Sequence, residues 1–485
     1  MKVVQGSLLA LAIAAALTGC ATAPTYVAPA ATAPASYISG DAVDARSVTR
    51  ADVDLVQWWQ AFGDPLLTTL IERAVAQNLD LQEAEARVMQ ARAALRFAGA
   101  DLLPSGDVSV RAGASYQSLE TPMGRIASAF PGYDRTIGTY EAGLGASWEL
   151  DVFGGKDAAR DAARADWQAS AAAAAAARIA VIAQTADTYI QIRALQQRLE
   201  IARAQESTQA RFTQLVDLQF RRGIVAELQL RQSEGALQQV RAALPILQSE
   251  LDKAMNALDV LIGVSPGTTR AELATVRPVP LAPAVVTAGG PPALLRRRPD
   301  IIAAERRLAA TNARIGVAVA EYYPKFTLSG LLGAASGTPG ALLGGSAIQA
   351  SGLLGLRWRL FDFGRIDAEI DIAEGRNAEA LAVYRRTVLR ASQDVEDAFS
   401  TLVQQEARAA ELAKGETAFA RAQQSSTIAY RAGVVSLIEV LEADRRLLET
   451  RDGIVQARAA ASRSAVASFR ALGGGWQGAT ADAKM

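Results

Sequence analysis

Two hydrophobic periodicities alternate along this chain of 485 residues. Apolar side chains recur at helical spacing from about residue 64 to residue 100, and Pro104 follows them. The period then changes to two, because apolar and polar residues alternate over residues 106–117 and again over residues 139–150. The pattern predicts a helix followed by a β-hairpin.

A long helical pattern follows this predicted hairpin. Residues 156–222 contain neither proline nor glycine, and they include seven consecutive alanines at 171–177. A helix of this length runs for about 100 Å at 1.5 Å per residue, so it must pack side by side with other helices. Gly223 predicts a turn, after which a second helix returns. Pro245 predicts an end or a kink in that returning helix, because proline cannot donate the backbone hydrogen bond.

The chain repeats this order of elements once. A shift of 210 positions aligns the following segments without gaps: residues 148–154 with 358–364, and residues 220–225 with 430–435. Upstream the shift becomes 220 and places Pro104 over Pro324. A weaker alternation in the second copy predicts strands at about 325–333 and 351–361. The sequence therefore predicts two tandem helix–β-hairpin–helix repeats.

The predicted strands have the length that a tilted strand needs to cross a bilayer, about ten residues. Trp148 and Trp358 close equivalent strands, which is typical of an aromatic belt at a membrane interface. The alternative is a pair of half-buried hairpins in a soluble sheet. Four strands cannot close a barrel alone, so several chains would share one. Two chains would give eight strands, whereas three would give twelve and room for water, which the small polar alternate positions favour.

The composition argues against two classes of function. The chain carries 50 Lys and Arg against 50 Asp and Glu, so no basic field marks it as a nucleic-acid binder. It contains no histidine, which is the commonest general base and metal ligand at neutral pH. No nucleophile–base set or metal cluster is visible in the sequence. We therefore expect no enzyme activity and no metal site.

The N-terminus predicts a lipoprotein. Residues 1–19 read as a signal peptide, because a short apolar stretch follows Lys2. The sequence Leu17-Thr18-Gly19-Cys20 resembles a bacterial lipobox, and Cys20 is the only cysteine in the chain. The resemblance implies diacylglycerol and an N-acyl chain on Cys20. Ala21 replaces the Asp that favours inner-membrane retention, which implies the outer membrane. Residues 20–57 predict an acylated, extended tether rich in Ala, Pro and Thr.

Several motifs resemble the outer membrane factor family, and the chain is most similar to its efflux-transporter lipoproteins. The stretches that carry the resemblance are Asp64-Pro65-Leu66-Leu67, Asn78-Leu79-Asp80-Leu81, Leu295-Arg296-Arg297-Arg298-Pro299-Asp300, Tyr323-Pro324-Lys325-Phe326 and Tyr430-Arg431-Ala432-Gly433-Val434. The implied fold is an α+β membrane protein: a homotrimer with a twelve-stranded outer-membrane barrel continued by a long α-helical periplasmic tunnel. The first repeat then covers residues 58–280, the second covers 281–476, and 477–485 form a tail.

The resemblance also implies a function and partners. The family forms exit ducts for tripartite pumps, in which an inner-membrane pump, here of the RND type, drives the substrate and a periplasmic adaptor docks on the tunnel. The expected function is passive passage of drugs or other toxic small molecules to the exterior. Rival functions are type I protein secretion, metal-ion efflux, and a lipid-anchored periplasmic scaffold without a pore.

The family's periplasmic aperture maps by position onto Ile438 and Glu442. Their spacing of four residues puts both on one helix face, and three copies of Glu442 near one axis would favour cations. The alternative is a solvated helical face, since Glu439 and Asp444 lie nearby.

Three other motifs carry less information about function. Asp362-Phe363-Gly364 matches the magnesium motif of kinases, but it lacks their context and reads as a strand-to-helix turn. Arg296-Arg297-Arg298 resembles a localisation signal, which an exported protein cannot use. Trp58-Trp59 predicts a packing anchor, with a docking site as the alternative.

Overall fold

The structure is a computed structural model that describes residues 24–30, 36–46, 53–285 and 290–477. The predicted signal peptide, Cys20 and most of the predicted tail lie outside the described residues. The chain forms two compact units. Within the described residues, the hairpin unit contains 24–29, 89–168 and 305–382, and the helical unit contains 30, 36–46, 53–88, 169–285, 290–304 and 383–477.

The elements follow one another in an order that the sequence largely predicts. The helices are α1 (Gly40–Asp44), α2 (Pro65–Gln77), α3 (Leu79–Ala100), α4 (Pro122–Ser128), α5 (Gly155–Arg221), α6 (Glu227–Leu261), α7 (Arg270–Leu273), α8 (Pro291–Arg297), α9 (Pro299–Ala320), α10 (Arg365–Arg431) and α11 (Leu437–Ala471). Short 3-10 helices lie at Trp58–Phe62, Pro339–Ala341 and Gly345–Ala347. The strands are β1 (Ser105–Tyr116), β2 (Thr136–Leu150), β3 (Lys325–Ser336) and β4 (Ile348–Arg357).

The four strands form one antiparallel sheet in the order β1-β2-β3-β4. β4 begins three residues before its predicted start and ends at Arg357, before its predicted end near residue 361. The reason is local. The Asp362 carboxylate accepts the backbone N–H groups of Gly364 and Ile366, which fixes the segment as the cap of α10. The motif Asp362-Phe363-Gly364 is therefore the predicted strand-to-helix turn.

The two hairpins share one register. Ser105 pairs with Ser147, and the residues 220 and 210 positions further along, Lys325 and Arg357, also pair with each other. Between the hairpins, β2 pairs with β3 so that Trp148 lies opposite Leu328.

This register gives the sheet two different faces. Directly opposed residues in a sheet point to the same side, and successive residues point to opposite sides. Because even-numbered positions pair only with even-numbered ones, all of them share one face. That face carries Val108, Val110, Leu144, Trp148, Leu328, Leu332, Leu354 and Leu356. The odd-numbered face includes Asp107, Arg111, Glu141 and many Gly and Ser residues, and Arg111 lies directly opposite Glu141.

The helical segments of the hairpin unit pack through small side chains. Ala165 of α5 clusters with Ala309 and Ala310 of α9, and Tyr26 covers this cluster. The Tyr26 hydroxyl donates to the Glu305 carboxylate at 2.6 Å. Alanines at these positions let the two helix backbones approach closely.

The helical unit has a larger apolar core. The ring of Trp58 stacks on that of Phe469 with centroids 5.0 Å apart, and it meets Trp59 edge-on at 5.9 Å. Both tryptophans are buried. They therefore act as packing residues. Trp58 is only 1% exposed, so its side chain is not accessible to a docking partner.

Part of the predicted tether is docked on the helical unit rather than extended. Tyr37 is buried and meets the Phe399 ring edge-on at 5.4 Å, and burial raises its pKa to about 12. The backbone N–H groups of Ile38 and Ser39 donate to the Glu396 carboxylate at 2.7 and 3.0 Å. Arg46 forms a salt bridge with Glu406, and α1 lies between these contacts. Two isolated tyrosines, Tyr26 and Tyr37, among Ala, Pro and Thr give no periodicity, so the sequence did not reveal this docking.

Of the two outcomes predicted for Pro245, an end or a kink in its helix, the first is wrong. α6 continues through Pro245 from Glu227 to Leu261. Proline removes one backbone donor, but Pro245 and Arg241, whose carbonyl loses its partner, are both exposed. Water can therefore satisfy the carbonyl, and the helix is not forced to stop.

One helix of the described chain, α5, is long and apolar enough to cross a membrane by length and composition. Nearly half of its most apolar window is buried inside the protein. We read this stretch as the packed, alanine-rich part of a helix in contact with its neighbours.

Candidate functional site: the charged face of α11

The candidate aperture begins at a tight turn between two helices. α10 ends at Arg431, Gly433 adopts a left-handed conformation with φ of 75°, and α11 begins at Leu437. The N–H of Val434 donates to the carbonyl of Ala429 at 2.9 Å, which satisfies a carbonyl at the helix end. Gly223 has a φ of 71° at the equivalent turn between α5 and α6, where Ile224 donates to Gln219 at 2.9 Å.

The two predicted aperture residues lie on the first turns of α11. Ile438 is 42% exposed, and the side chain of Glu442 is 43% exposed. They are four residues apart on one helix, so the structure brings them to one face, as their spacing predicts. Their role as an aperture stays a prediction.

Glu442 is not an isolated negative charge. Arg445 donates two hydrogen bonds to its carboxylate, from Nη2 at 2.7 Å and from Nε at 2.9 Å. Arg446 adds a third from Nε at 3.1 Å. These hydrogen bonds, with Arg445 as the main cause, lower the pKa of Glu442 to about 2. The carboxylate is therefore ionised at physiological pH, and two guanidinium groups balance its charge.

The pairing continues along the helix. Arg445 also donates from Nη1 to Glu449 at 2.5 Å, one turn further on. Its pKa is raised, chiefly by the hydrogen bond to Glu442. The face thus alternates acidic and basic groups in the order Glu442, Arg445 and Glu449.

The face borders a groove of about 590 Å³ between α5, α6 and α11. Residues from the three helices line it: Phe212 and Val216 from α5, Gln229, Gln232 and Ser233 from α6, and Ile438, Leu441, Glu442 and Arg445 from α11. The Thr208 hydroxyl of α5 donates to Asp444 of α11 at 2.6 Å. This hydrogen bond joins α5 to α11, two of the three helices that line the groove.

Ion pairs tie the long helices of the helical unit at equivalent positions. Arg241 of α6 bonds Glu206 of α5 at 3.0 Å. The residues 210 positions later, Arg451 of α11 and Glu416 of α10, bond at 2.9 Å. These pairs hold each returning helix to the long helix before it.

The charged residues of this face of α11 have uncharged equivalents on α6, where a separate series of ion pairs joins Arg231 to Glu227 and Glu234. The residues 210 positions before Glu442, Arg445 and Arg446 are Gln232, Gly235 and Ala236. Two further ion pairs join α5 to α11 and use second-half residues, Arg198 with Asp452 and Arg463 with Asp187. The two halves therefore differ in charge at the positions of the candidate aperture.

The two predicted belt tryptophans occupy matching positions in the hairpin unit. Trp148 lies near the end of β2, and its indole N–H donates to the carbonyl of Leu102 at 2.8 Å. Trp358 follows the last residue of β4, and its indole N–H donates to the carbonyl of Tyr322, also at 2.8 Å. Each tryptophan thus closes its hairpin onto the turn that precedes it. Their membrane depth stays a prediction.

Sequence reasoning missed two arginine sites. The first is the pair Arg445 and Arg446, which the spacing of three and four residues from Glu442 could have revealed. The second is Arg298, which is buried and donates to the carboxylates of Asp300 and Asp394. It also donates to the carbonyls of Ala391, in the middle of α10, and Ala471, at the end of α11, so one side chain links α9, α10 and α11. No local pattern predicts these distant partners.

In the described part of the chain, no group of three or more His, Cys, Asp and Glu side chains is arranged to hold a metal ion. The predicted lipid-bearing Cys20 lies outside the described residues.

Known proteins resemble this chain over nearly its whole length. The model of the family described as outer membrane efflux protein matches residues 70–264 and 290–474. The pyoverdine export outer membrane protein OpmQ of Pseudomonas aeruginosa is 33% identical over 87% of this chain and 88% of its own length. The cation efflux system protein CusC of Escherichia coli O6:H1 is 31% identical over 97% of this chain and 99% of its own length. Among solved structures, the outer-membrane channel OprN superposes with a TM-score of 0.82 at 33% identity, covering 94% of this chain and 100% of that one.

Proposed function

Because this chain belongs to the outer membrane efflux protein family, we propose that it is the outer-membrane channel of a tripartite efflux system. Members of the family are outer-membrane channels and not enzymes, and they work with periplasmic adaptors and inner-membrane pumps. The channel would conduct drugs or other toxic small molecules passively, with an inner-membrane pump of the RND type supplying the energy. Family membership argues against the rival idea of a periplasmic scaffold without a pore.

The observation that carries the proposal is the open four-stranded sheet. Its edge strands β1 and β4 each pair on one side only within the described chain. In lipid, every unpaired backbone group at such an edge costs several kcal/mol, so a membrane-spanning sheet must close. Three chains would supply twelve strands and a bore wide enough for water. We therefore propose a homotrimer with one shared barrel, built from two tandem repeats per chain.

The two faces of the sheet suit this assembly. The even-numbered face carries Val, Leu and Trp side chains that can meet lipid, and the odd-numbered face carries small and charged residues that can meet water. In this arrangement Trp148 and Trp358 form an aromatic belt. The long helices α5 and α10, of 67 residues each, and the returning helices α6 and α11 would form the periplasmic tunnel.

We place the periplasmic aperture at Ile438 and Glu442 of α11. The pairing of Glu442 with Arg445 and Arg446 changes the expected chemistry. Three bare carboxylates near one axis would repel one another, whereas three Glu–Arg clusters can also attract each other's opposite charges. The aperture would therefore be a ring of mixed charge with an apolar ring of Ile438 beside it.

Cys20 is the proposed site of lipid attachment, with diacylglycerol and an N-acyl chain. Several acyl chains hold a protein on a membrane far more firmly than one chain does. The anchor would sit in the outer-membrane lipid, and the docked residues 36–46 would fix the path of the chain from the anchor to the helical unit.

We propose no specific cargo, because a passive duct need not bind the compounds that it passes. One similar protein is named for pyoverdine export and another for cation efflux. The alternatives to drug efflux are therefore metal-ion efflux and type I protein secretion.

Conductance in planar bilayers tests the proposed function. The purified full chain should form ion-permeable trimers, and a chain that is monomeric or electrically silent in bilayers would contradict the proposal. Deleting the gene should then raise sensitivity to dyes and antibiotics. Sensitivity to metal salts alone would favour metal-ion efflux, and loss of a secreted protein would favour type I secretion.

A further inference from the structure

The edges of strands β1 and β4 are the surfaces at which one copy of the chain would meet the next. This inference rests on the proposed trimer, in which β4 of one copy must pair with β1 of a second copy. Trimer formation alone leaves open which residues face each other across that seam. The register inside the chain supplies the answer.

The two hairpins obey one numerical rule. Adding 220 to each β1 residue and 210 to its β2 partner converts the β1–β2 pairs into the β3–β4 pairs along their common length. The equivalence of the two halves therefore extends to the residue-by-residue register of their strands.

The seam between β2 and β3 is the template for the seam between copies. It joins the second strand of one half to the first strand of the other, as β4 and the next copy's β1 would. Within the chain, Trp148 faces Leu328 and Ala146 faces Gly330. Adding 210 to the β2 residue and subtracting 220 from the β3 residue converts these pairs into Trp358 with Val108 and Leu356 with Val110.

We infer that β4 pairs with β1 of a second copy in the register that sets Leu356 opposite Val110 and Leu354 opposite Ala112. This register pairs even-numbered residues with even-numbered residues, as every strand pair within the chain does. The apolar face thus continues across the seam. A slip of one residue would set apolar side chains of one copy beside polar ones of the next and break the lipid-facing band.

A second observation supports the same seam. Phe153, in the turn after β2, stacks on Tyr323, just before β3, with ring centroids 4.6 Å apart and planes at 20°. The equivalent residues are Phe363, which is 97% exposed, and Leu103, which is 65% exposed. Both are large, apolar and uncovered in the single chain. In the inferred register Phe363 of one copy covers Leu103 of the next, and an exposed pair becomes a buried contact.

Cysteine cross-linking in the full-length, membrane-embedded protein tests the register. Directly opposed strand residues have Cα atoms about 4.5–5.5 Å apart, which is within the range that a disulfide bridges. The matched variants are Leu356→Cys combined with Val110→Cys, with Val108→Cys or with Ala112→Cys. The last two pairs report slips of two residues in either direction, and each single-cysteine variant is a control.

We expect the Leu356 and Val110 cysteines to give covalent trimers on a denaturing gel after mild oxidation, at least five times more efficiently than the other two pairs. Dominance of Leu356 with Val108 or with Ala112, in a protein that is still trimeric, would overturn the register and leave the proposed function standing. Native trimers in which no pair cross-links would overturn the inferred register as well. Absence of any trimer would overturn the proposed function itself.

The Phe363 contact has its own test. Phe363→Ala should lower the temperature at which native trimers dissociate into monomers, whereas Phe130→Ala, at another exposed phenylalanine between β1 and β2, should not. Equal effects of the two substitutions would contradict a seam contact at Phe363.

Discussion

The Glu442 carboxylate accepts two hydrogen bonds from the Arg445 guanidinium, one turn further along the same helix. Glu442, which the sequence predicts to be an acidic gate residue, is therefore one member of an ion pair. Its effect on permeation depends on both partners, so the two substitutions have opposite predicted signs.

Replacing Glu442 with alanine should weaken the preference for cations and raise the conductance. The substitution removes three carboxylates per trimer and leaves Arg445 and Arg446 without their shared partner. Reversal potentials in a salt gradient at low ionic strength measure the change, since salt screens exposed charges. The control is Gln232→Ala, the equivalent position on α6. Unchanged selectivity in the Glu442 variant would place the aperture elsewhere.

Replacing Arg445 with alanine should strengthen the preference for cations. The carboxylates of Glu442 and Glu449 lose their common partner and present more uncompensated negative charge to the lumen. The same reversal-potential measurement should shift in the direction opposite to that of the Glu442 variant. A shift in the same direction for both would show that the substitutions act through helix packing and not through charge.

The contribution of Glu442 to selectivity should be constant between pH 7 and pH 4. Its pKa is lowered to about 2, so the carboxylate stays ionised across this window. In the folded protein the pKa of Glu442 lies below its ordinary value of 4.5, so ionised Glu442 stabilises the fold. The stabilisation is complete above the unfolded pKa, and it is lost as the pH falls toward 2. The measurement is the difference in reversal potential between wild type and Glu442→Gln, and a difference that vanishes near pH 4.5 would contradict the ion pair.

Replacing Arg298 with alanine should destabilise the helical unit by about 3 kcal/mol, because it removes the charge-assisted hydrogen bonds to Asp300 and Asp394 and the donor to the carbonyl of Ala471 at the end of α11. Thermal unfolding of the detergent-solubilised protein checks this value. The matched control is Arg296→Ala, two residues away on an exposed position, which should change stability by less than about 0.5 kcal/mol. Equal losses of stability in the two variants would contradict the structural role of Arg298.

Replacing Cys20 with serine should abolish acylation, because serine lacks the thiol that forms the thioether. Mass spectrometry of the mature N-terminal peptide should lose the mass of the acyl chains, and the protein should still insert through its strands. A lipidated peptide from the serine variant would refute the assignment.

The sequence by itself determined the elements and their order. Periods of 2 and 3.6 residues are local, so the strands of both hairpins and the two helices of 67 residues could be predicted within a few residues. The shift of 210 residues also predicted the matching turns at Gly223 and Gly433. Of the candidate site, the sequence predicted that Ile438 and Glu442 share one helix face.

Only the tertiary structure decided which distant segments meet. Tyr37 docks on Phe399 and Arg298 reaches Asp394, and such partners leave no mark in a local pattern because contact depends on how the chain folds back. The helix through Pro245 persists because its missing bond faces solvent, which burial and not sequence determines. The register of β2 against β3 is likewise tertiary, and with it comes the predicted seam between copies. The sequence repeats the unit, and packing decides how one unit adjoins the next.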